Sequence, residues 1–313
     1  SQFLFEFISA LAKRPFGRDL GLELLRDFIK SARVKATFFT TLLRDPTLIK
    51  DLSFIFSSSP LIGSFVANRP ELIDSLILKQ EESIHKDFSL FLINLVETKK
   101  IHQIHTVINF LKTKNVIELC QDCSLVADEL ALKLLNRLKK ETSIESSLEI
   151  LALGKWGGKE LGISSDLDFV FVTLETPKHE DFKLARRFLS RLSEQQASGN
   201  LFNYDLRLRP SGNSGPLLVS LESLKKHLAN EALAWERQSY LKARSITNNK
   251  MLSNISCCYL EKGLSSQDES ELNEIRRKLI RPHYSDLEVN LKYNDGGFIQ
   301  IELIIQQLIL KHK

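Results

Sequence analysis

The amino-acid sequence predicts an α+β fold that is predominantly helical. Residues 1–142 carry apolar side chains at helical spacing throughout. From about Ser143 onward, short runs rich in β-branched and aromatic residues alternate with helical segments. We therefore expect a helical bundle over 1–142, a sheet-containing domain over 143–250 and a helical extension over 251–313 that sends one strand back to the sheet.

Prolines set the helix boundaries in the first part. Asp45-Pro46, Ser59-Pro60 and Arg69-Pro70 each place a proline where it suits the first turn of a helix. The pattern predicts short helices up to about Leu78. Longer helices are predicted over 82–98, 100–114 and 124–141.

Four strands are predicted in the second part, with an amphipathic helix after the second of them. The strands cover 148–153, 168–174, 201–208 and 216–219, and the helix covers 180–197. The remaining elements are a helix over 222–241 with one interruption, helices over 251–261, 268–279 and 299–310, and a strand over 287–292. Because the last helical pattern stops at Lys311-His312-Lys313, we expect the extension to be truncated.

Composition excludes several classes of protein. In 313 residues, 43% are apolar and 26% are charged, as in ordinary soluble proteins. No apolar run is long enough to span a membrane and no signal peptide opens the chain, so we expect a cytoplasmic protein without membrane contact. The net charge of +4 is too small to predict a nucleic-acid partner.

Two spacings suggest metal or redox sites only weakly. Cys120 and Cys123 have the spacing of half a zinc or redox site, but the other two cysteines are adjacent in sequence. Reduced thiols in a cytosolic protein are the better interpretation. His102 and His105 lie three apart on a predicted helix without an evident third ligand, so we expect surface histidines.

Two aspartates before a predicted strand are the most informative feature. Asp166 and Asp168 are two residues apart, so their side chains share one face with about 7 Å between the Cα atoms. At an effective dielectric near 20 their repulsion is about 2 to 3 kcal/mol. A divalent cation would convert that cost into binding, and hard oxygen ligands suit Mg²⁺ completed by phosphates. The pattern predicts metal-assisted transfer of a phosphate-bearing group.

The predicted third strand carries Asp205, Arg207 and Arg209 at alternate positions, hence on one face. One interpretation is a structural ladder of ion pairs. The other is a third carboxylate that helps to hold two metal ions, with arginines facing triphosphate oxygens. The preceding Asp-x-Asp pair favours the second interpretation.

A glycine-rich turn precedes the aspartates. Gly157 and Gly158 would let the backbone approach a phosphate closely. Ser164 and Ser165 offer hydroxyl groups nearby, and Lys155 is a candidate for a phosphate contact. Glycine clusters alone are weak evidence, but here they accompany the two aspartate motifs.

Residues 151–174 and 203–219 resemble the glutamine synthetase adenylyltransferase family. The similarity extends from about residue 25 to the end of the chain, through these further segments: Leu42 to Pro46, Ser59-Pro60, Arg69-Pro70-Glu71-Leu72, Ser211-Gly212-Asn213-Ser214-Gly215-Pro216, Trp235-Glu236-Arg237-Gln238, Leu241-Lys242-Ala243-Arg244 and Gly296-Gly297 before Ile301-Glu302. The resemblance implies a polymerase-beta-like nucleotidyltransferase domain with a mixed sheet over 143–250. It also implies ATP as substrate, Mg²⁺ on Asp166, Asp168 and Asp205, and glutamine synthetase as partner.

The family has two catalytic halves. One attaches AMP to a tyrosine of glutamine synthetase, and the other removes it by phosphorolysis. Segments 198–202, 209–212 and 294–297 are more similar to the adenylylating, C-terminal half. The alternatives are the phosphorolytic half and a weakly active or regulatory docking module. The resemblance also implies contact with a PII-type signal protein through the full-length enzyme.

The chain departs from the family pattern at two positions. Asn290 and Gln300 are neutral amides where the family usually has acidic or polar residues, which weakens the acidic surface. Asp166, Asp168 and Asp205 are intact, so we expect an active enzyme. Asp205 is the expected acceptor of the phenolic proton. Glu302 is expected in a supporting position beside the site or, alternatively, as a buried partner for an arginine. Trp235, Glu236, Lys242 and Arg244 are expected to tie helices to the sheet.

Overall fold

The structure is a computed structural model that describes residues 2–32, 35–70, 87–247, 249–253, 255, 257–260, 262–280 and 290–312. The chain forms two compact units, Ser1–Leu119 and Cys120–Lys313. No helix among these residues has the length and the apolar character needed to cross a membrane.

The first unit is helical, as the sequence predicts. Its helices are α1 (Gln2–Ala12), α2 (Arg18–Ser31), α3 (Lys35–Arg44), α4 (Pro46–Ser58), α5 (Pro60–Asn68) and α6 (Phe88–Thr113). The side chain of Asp45 accepts hydrogen bonds from the first turn of α4, and that of Ser59 does the same for α5. The prolines therefore occupy first turns, as predicted.

Phenylalanine side chains form the centre of the first unit. Phe7, Phe28 and Phe56 are fully buried, and their rings lie 5.6–5.7 Å from their nearest partners in this set. The predicted break between helices 82–98 and 100–114 is wrong, because α6 runs unbroken from Phe88 to Thr113. Nothing between these segments stops a helix, since neither Pro nor Gly occurs there. Residues 82–86 lie outside the described residues.

Helix α7 (Val116–Thr142) lies in the second unit from Cys120 onward, although the sequence assigns the whole helix to the bundle. The strands are β1 (Leu148–Ala152), β2 (Leu167–Thr173), β3 (Tyr204–Asp205), β4 (Leu218–Ser220) and β5 (Arg244–Ser245). Between the strands lie the short helix α8 (Gly154–Gly157) and α9 (His179–Leu192).

The sheet is small and mixed. Strand β2 pairs antiparallel with β1 and parallel with both β3 and β4, and β5 pairs antiparallel with the other side of β1. Both faces of β2 are covered. Phe169 and Phe171 pack edge-on against Phe188 of α9, whereas Val170 and Val172 lie in a second cluster with the helices that follow β4. Strand β2 is therefore held firmly, with Asp168 near its beginning.

The remaining helices follow the predicted pattern in part. They are α10 (Leu221–Lys226), a π-helical turn (His227–Glu231), α11 (Ala234–Ser239), α12 (Lys250–Ser253), α13 (Cys257–Leu260), α14 (Ser266–Ile280) and α15 (Phe298–His312). The predicted helix 251–261 is wrong as a single element, because two short helices occupy it. Of the predicted strand 287–292, residues 290–292 form a loop and turn, and the rest lies outside the described residues.

Candidate active site

The parallel pairing of β2 with β3 brings two of the predicted carboxylates together. Asp168 and Asp205 are direct partners in the register of these strands. Asp166 lies in the loop immediately before β2 and is exposed, whereas Asp168 is half-buried. The sequence therefore predicted the convergence of Asp168 and Asp205 correctly.

The electrostatics of Asp168 show how closely the charged groups lie. Burial, followed by the negative charges of Asp205 and Asp166, raises the pKa of Asp168 to about 6. The positive charges of Lys155 and Arg207 oppose this shift in its pKa. The charges of four predicted site residues therefore affect the pKa of a fifth, Asp168.

Asp205 is paired with Arg207. The Arg207 backbone N–H donates to Oδ1 of Asp205 at 2.8 Å, and the guanidinium Nε and Nη2 lie 2.7 and 2.5 Å from Oδ2. This pairing lowers the pKa of Asp205 below its usual range. Arg207 is otherwise exposed, so it remains accessible from solvent.

The predicted third strand is wrong in its extent. It covers only Tyr204–Asp205, after which the chain turns. Arg209 therefore does not continue the face that carries Asp205. Its guanidinium donates to the carbonyl groups of Leu206 and Asn213 at 3.2 and 3.0 Å, within its own loop. In this conformation Arg209 shapes the loop, and a contact of Arg209 with nucleotide stays a prediction.

Replacing Arg207 with alanine is expected to raise the pKa of Asp205, because the largest contribution to its lowered value is the hydrogen bond from Arg207. A depressed carboxyl pKa stabilises the folded state above the unfolded value of about 3.9 and loses that contribution as the pH falls. Titration of the carboxyl carbon by NMR measures the change. Arg209→Ala is the matched control. An unchanged pKa of Asp205 in Arg207→Ala would contradict the pairing.

The donor chemistry of the site fits Mg²⁺, although no finished metal cage is present. Among the described residues, no three His, Cys, Asp or Glu side chains are arranged to hold a metal ion. Within the described part of the chain, the carboxylates of Asp166 and Asp168 have no hydrogen-bond or ion-pair partner. Mg²⁺ is usually bound through one or two carboxylates plus substrate phosphates rather than by an all-protein cage. Asp166 and Asp168 suit that mode, whereas Asp205 is occupied by its ion pair with Arg207.

Gly154 is a site residue that the sequence analysis missed. Its φ is +51°, and an added Cβ would lie 2.6 Å from Oδ2 of Asp168. The turn thus lies directly against the Asp168 carboxylate, and only glycine fits there without strain. The signal was available, because Gly154 is the first glycine of the same motif as Gly157.

The two predicted phosphate-binding glycines differ. An added Cβ on Gly157 would lie 2.1 Å from the carbonyl oxygen of Lys242 and 2.7 Å from that of Ala152. Internal packing therefore already requires glycine at this position. An added Cβ on Gly158 would meet only side-chain atoms, of Lys242 and Glu160.

The other predicted nucleotide contacts surround the turn. Lys155 is exposed and close enough to lower the pKa of Asp168. Ser164 is exposed. The hydroxyl of Ser165 accepts a hydrogen bond from the Gly162 N–H at 3.0 Å, which leaves its own proton available to a ligand.

Glu302 lies beside this turn but is not a buried partner of an arginine. The Lys242 ammonium lies 2.6 Å from Glu302 and 2.6 Å from Glu160, and the side chain of Glu302 is 46% exposed. Lys242 thus links α15 to the end of the glycine turn. This confirms the expectation that Lys242 ties a helix to the sheet region.

Arg244 has the same kind of role, through a partner that the sequence analysis did not identify. Its guanidinium makes a two-point ion pair with Asp128 of α7 at 2.7 and 2.9 Å. It also donates to the carbonyl groups of Trp156 and Gly157 at 3.1 and 3.2 Å. Asp128 lies 116 residues away in sequence, so no local pattern could indicate it.

The two neutral amides have structural partners. Oδ1 of Asn290 accepts from the Lys292 N–H at 3.1 Å, and Oε1 of Gln300 accepts from the Gly296 N–H at 2.6 Å. Acidic side chains could accept the same bonds, so these contacts do not account for the amides.

Cys120 and Cys123 are free thiols, and burial raises the pKa of Cys123 to about 11.

Comparisons with known proteins agree with the motifs. The family model described as glutamate-ammonia ligase adenylyltransferase matches residues 90–255. The chain is 29% identical to a bifunctional glutamine synthetase adenylyltransferase/adenylyl-removing enzyme of Aromatoleum aromaticum, over 95% of the chain and 35% of that protein. It is 29% identical to the protein of the same name from Neisseria meningitidis serogroup A, over 98% of the chain and 37% of that protein. The chain thus spans about a third of the length of these relatives.

Proposed function

Because the chain belongs to the glutamate-ammonia ligase adenylyltransferase family, we propose that it transfers AMP from ATP to a tyrosine hydroxyl of glutamine synthetase. The observation that carries the proposal is the pairing of Asp168 with Asp205 across β2 and β3, with Asp166 beside them. The carboxylates of Asp166 and Asp168 make no hydrogen bond or ion pair among the described residues, and the nearby positive charges of Lys155 and Arg207 only partly offset the burial of Asp168. Such a cluster of negative charge is costly unless a cation joins it.

Each residue then has a defined task. Asp166 and Asp168 would hold Mg²⁺, and the bound ion would supply neutralisation of the phosphate charge. Lys155 and the hydroxyl of Ser165 bind phosphate oxygens at the mouth of the glycine turn. Arg207 is exposed and offers a planar guanidinium suited to phosphate. Transfer of this kind depends mainly on positioning and charge neutralisation.

Arg207 also controls the state of Asp205. While the ion pair persists, the lowered pKa of Asp205 makes it a weak base. A triphosphate competes for the guanidinium, because phosphate oxygens accept the same bidentate hydrogen bonds as a carboxylate. Binding of ATP therefore frees Asp205 both to complete the acidic site and to accept the proton of the phenol.

The position of the label distinguishes this reaction from others. The full-length protein is incubated with glutamine synthetase, Mg²⁺ and ATP labelled on either the α- or the γ-phosphorus. Only the α-label is expected to enter glutamine synthetase, with one pyrophosphate released for each AMP attached. Transfer of the γ-label would indicate a kinase, and no transfer of either label would contradict the proposal.

A second candidate is phosphorolytic removal of AMP, since the relatives are named both adenylyltransferase and adenylyl-removing enzyme. The same carboxylates would serve, because the two reactions share a pentacoordinate phosphorus. Inorganic phosphate added to AMP-modified glutamine synthetase would then yield ADP. Formation of ADP without transfer from labelled ATP assigns this activity instead. A PII-type partner and a cytoplasmic location stay predictions.

A further inference from the structure

We propose that Asp128 is a positioning residue of the candidate active site, acting through Trp156 and Arg244 on the turn against which Asp168 lies. Asp128 belongs to α7 and is not close to the predicted nucleotide contacts in sequence. The carboxylate of Asp128 and its partners Trp156 and Arg244 form a clamp. Its effect on catalysis rests on the proposed function.

The contacts of Asp128 join three elements. Its Oδ1 accepts hydrogen bonds from the indole Nε1 of Trp156 at 2.8 Å and from Nη2 of Arg244 at 2.9 Å. Its Oδ2 accepts from Nη1 of Arg244 at 2.7 Å. One carboxylate therefore fixes α7 against both α8 and β5. Charge-assisted, two-point bonds of this kind are the most directional that side chains make.

The clamp is largely removed from water. The side chain of Asp128 is 14% exposed and that of Arg244 is 20% exposed, while Trp156 is fully buried. Removing one partner leaves a poorly solvated charge on the other. The guanidinium of Arg244 also donates to the carbonyl groups of Trp156 and Gly157, so its displacement would move the backbone of the turn.

Two contacts carry the position of the turn to Asp168. Gly154, the first residue of α8, lies against the Asp168 carboxylate so closely that a Cβ would be 2.6 Å from Oδ2. The Trp156 ring meets the ring of Phe169, the neighbour of Asp168, edge-on at 5.8 Å. A shift of α8 therefore shifts the carboxylate relative to Asp205. Displacements of about 1 Å in such sites can cost about a hundredfold in rate.

The test compares Asp128→Ala with Glu129→Gln in the full-length protein. Glu129 is the next residue of α7, and its ion pair with Lys133 is on the surface. Trp156→Phe removes the indole donor together with part of a buried ring, and Arg244→Ala removes the other partner. AMP transfer is measured over a range of Mg²⁺ concentrations at a temperature where circular dichroism shows every variant folded. Hydrogen exchange of the Gly157 and Gly158 amides gives a readout that needs no turnover.

In Asp128→Ala, kcat is expected to fall between about tenfold and a hundredfold. The Mg²⁺ concentration for half-maximal rate should rise, because Asp168 is displaced. A smaller folded fraction would lower the rate but leave that Mg²⁺ concentration unchanged. The double variant with Arg244→Ala should be little worse than either single variant, since both act through one turn. Exchange at Gly157 and Gly158 should accelerate, and Glu129→Gln should match the wild type throughout.

Three outcomes would overturn the inference: an unchanged rate and Mg²⁺ dependence in Asp128→Ala, additive losses in the double variant, or unchanged amide exchange. These differ from a failure of the proposed function, in which the wild-type protein itself transfers no AMP. In that case the exchange measurement still decides whether the clamp exists.

Discussion

Replacing Asp168 with asparagine is expected to abolish AMP transfer while leaving the protein at least as stable as the wild type. The amide is isosteric but carries no charge, so it binds a hard cation far more weakly. We expect kcat to fall at least about a hundredfold, since charge stabilisation of a transferring phosphoryl group is worth several kcal/mol. The rate is measured with α-labelled ATP.

The pKa of Asp168 explains why Asp168→Asn should be at least as stable as the wild type in the absence of metal. Burial and two neighbouring carboxylates raise the pKa of Asp168 to about 6, above the unfolded value of about 3.9. The native state therefore holds this proton more tightly, and its stability falls as the pH rises from about 4 to about 6. Asp168→Asn removes that loss. Its gain in stability should be complete above pH 6 and absent below pH 4.

Asp166→Asn and Glu180→Gln complete the comparison. The Asp166→Asn variant should also lose activity, but the exposed position of Asp166 predicts little change in stability. Glu180 is an exposed carboxylate on α9, and its substitution should change neither quantity. AMP transfer by Asp168→Asn at close to the wild-type rate would show that the carboxylates do not have the proposed role.

The sequence carried most of the information about the carboxylates because it is local. Strands β1 and β2 are short, nearly continuous apolar runs with β-branched and aromatic residues, so both were predicted within one residue of their observed ends. Once β2 is placed, Asp168 has a known face, and a parallel neighbour brings Asp205 opposite it. Short-range patterning supplied the position of Asp168 in its strand, whereas the expectation that Asp205 joins it came from the family resemblance.

The extent of the third strand was predicted wrongly, because the periodicity of the side chains does not show where the chain turns. Residues 204–209 alternate like a strand, but only two of them pair with β2. Pro210 follows, and Ser211 has a φ of +61°, so the chain leaves the sheet. The guanidinium of Arg209 then serves the carbonyl groups of its own loop. Local hydrogen bonding of this sort competes with a strand and overrides its propensity.

Long-range contacts were also beyond reach. The importance of Asp128 depends on Trp156 and Arg244, which lie 28 and 116 residues away. Nothing in the sequence around Asp128 separates it from the other acidic residues on a helix. The roles of Glu160 and Glu302 as joint partners of Lys242 are equally invisible before the chain is folded.

Replacing Gly157 with alanine is expected to destabilise the second unit, whereas the same change at Gly158 should not. A Cβ on Gly157 would lie 2.1 Å from the Lys242 carbonyl oxygen, and backbone atoms cannot move aside cheaply. Overpacking of a buried site costs about 1 to 3 kcal/mol, and this contact should be at the upper end. A Cβ on Gly158 would meet Cδ of Lys242 at 2.9 Å and Oε1 of Glu160 at 3.0 Å, and these side-chain atoms can shift more cheaply than backbone. Urea denaturation measures both.

The same pair of variants separates packing from ligand binding in the glycine motif. Gly158 has a φ of −76°, which any residue adopts, so backbone strain does not require glycine there and the added Cβ displaces side-chain atoms alone. If its missing side chain serves the approach of a phosphate, Gly158→Ala should raise KM for ATP at unchanged stability. A normal KM would leave Gly154 and Gly157 as the glycines that matter, and both would then act by letting the turn lie against Asp168 and Lys242.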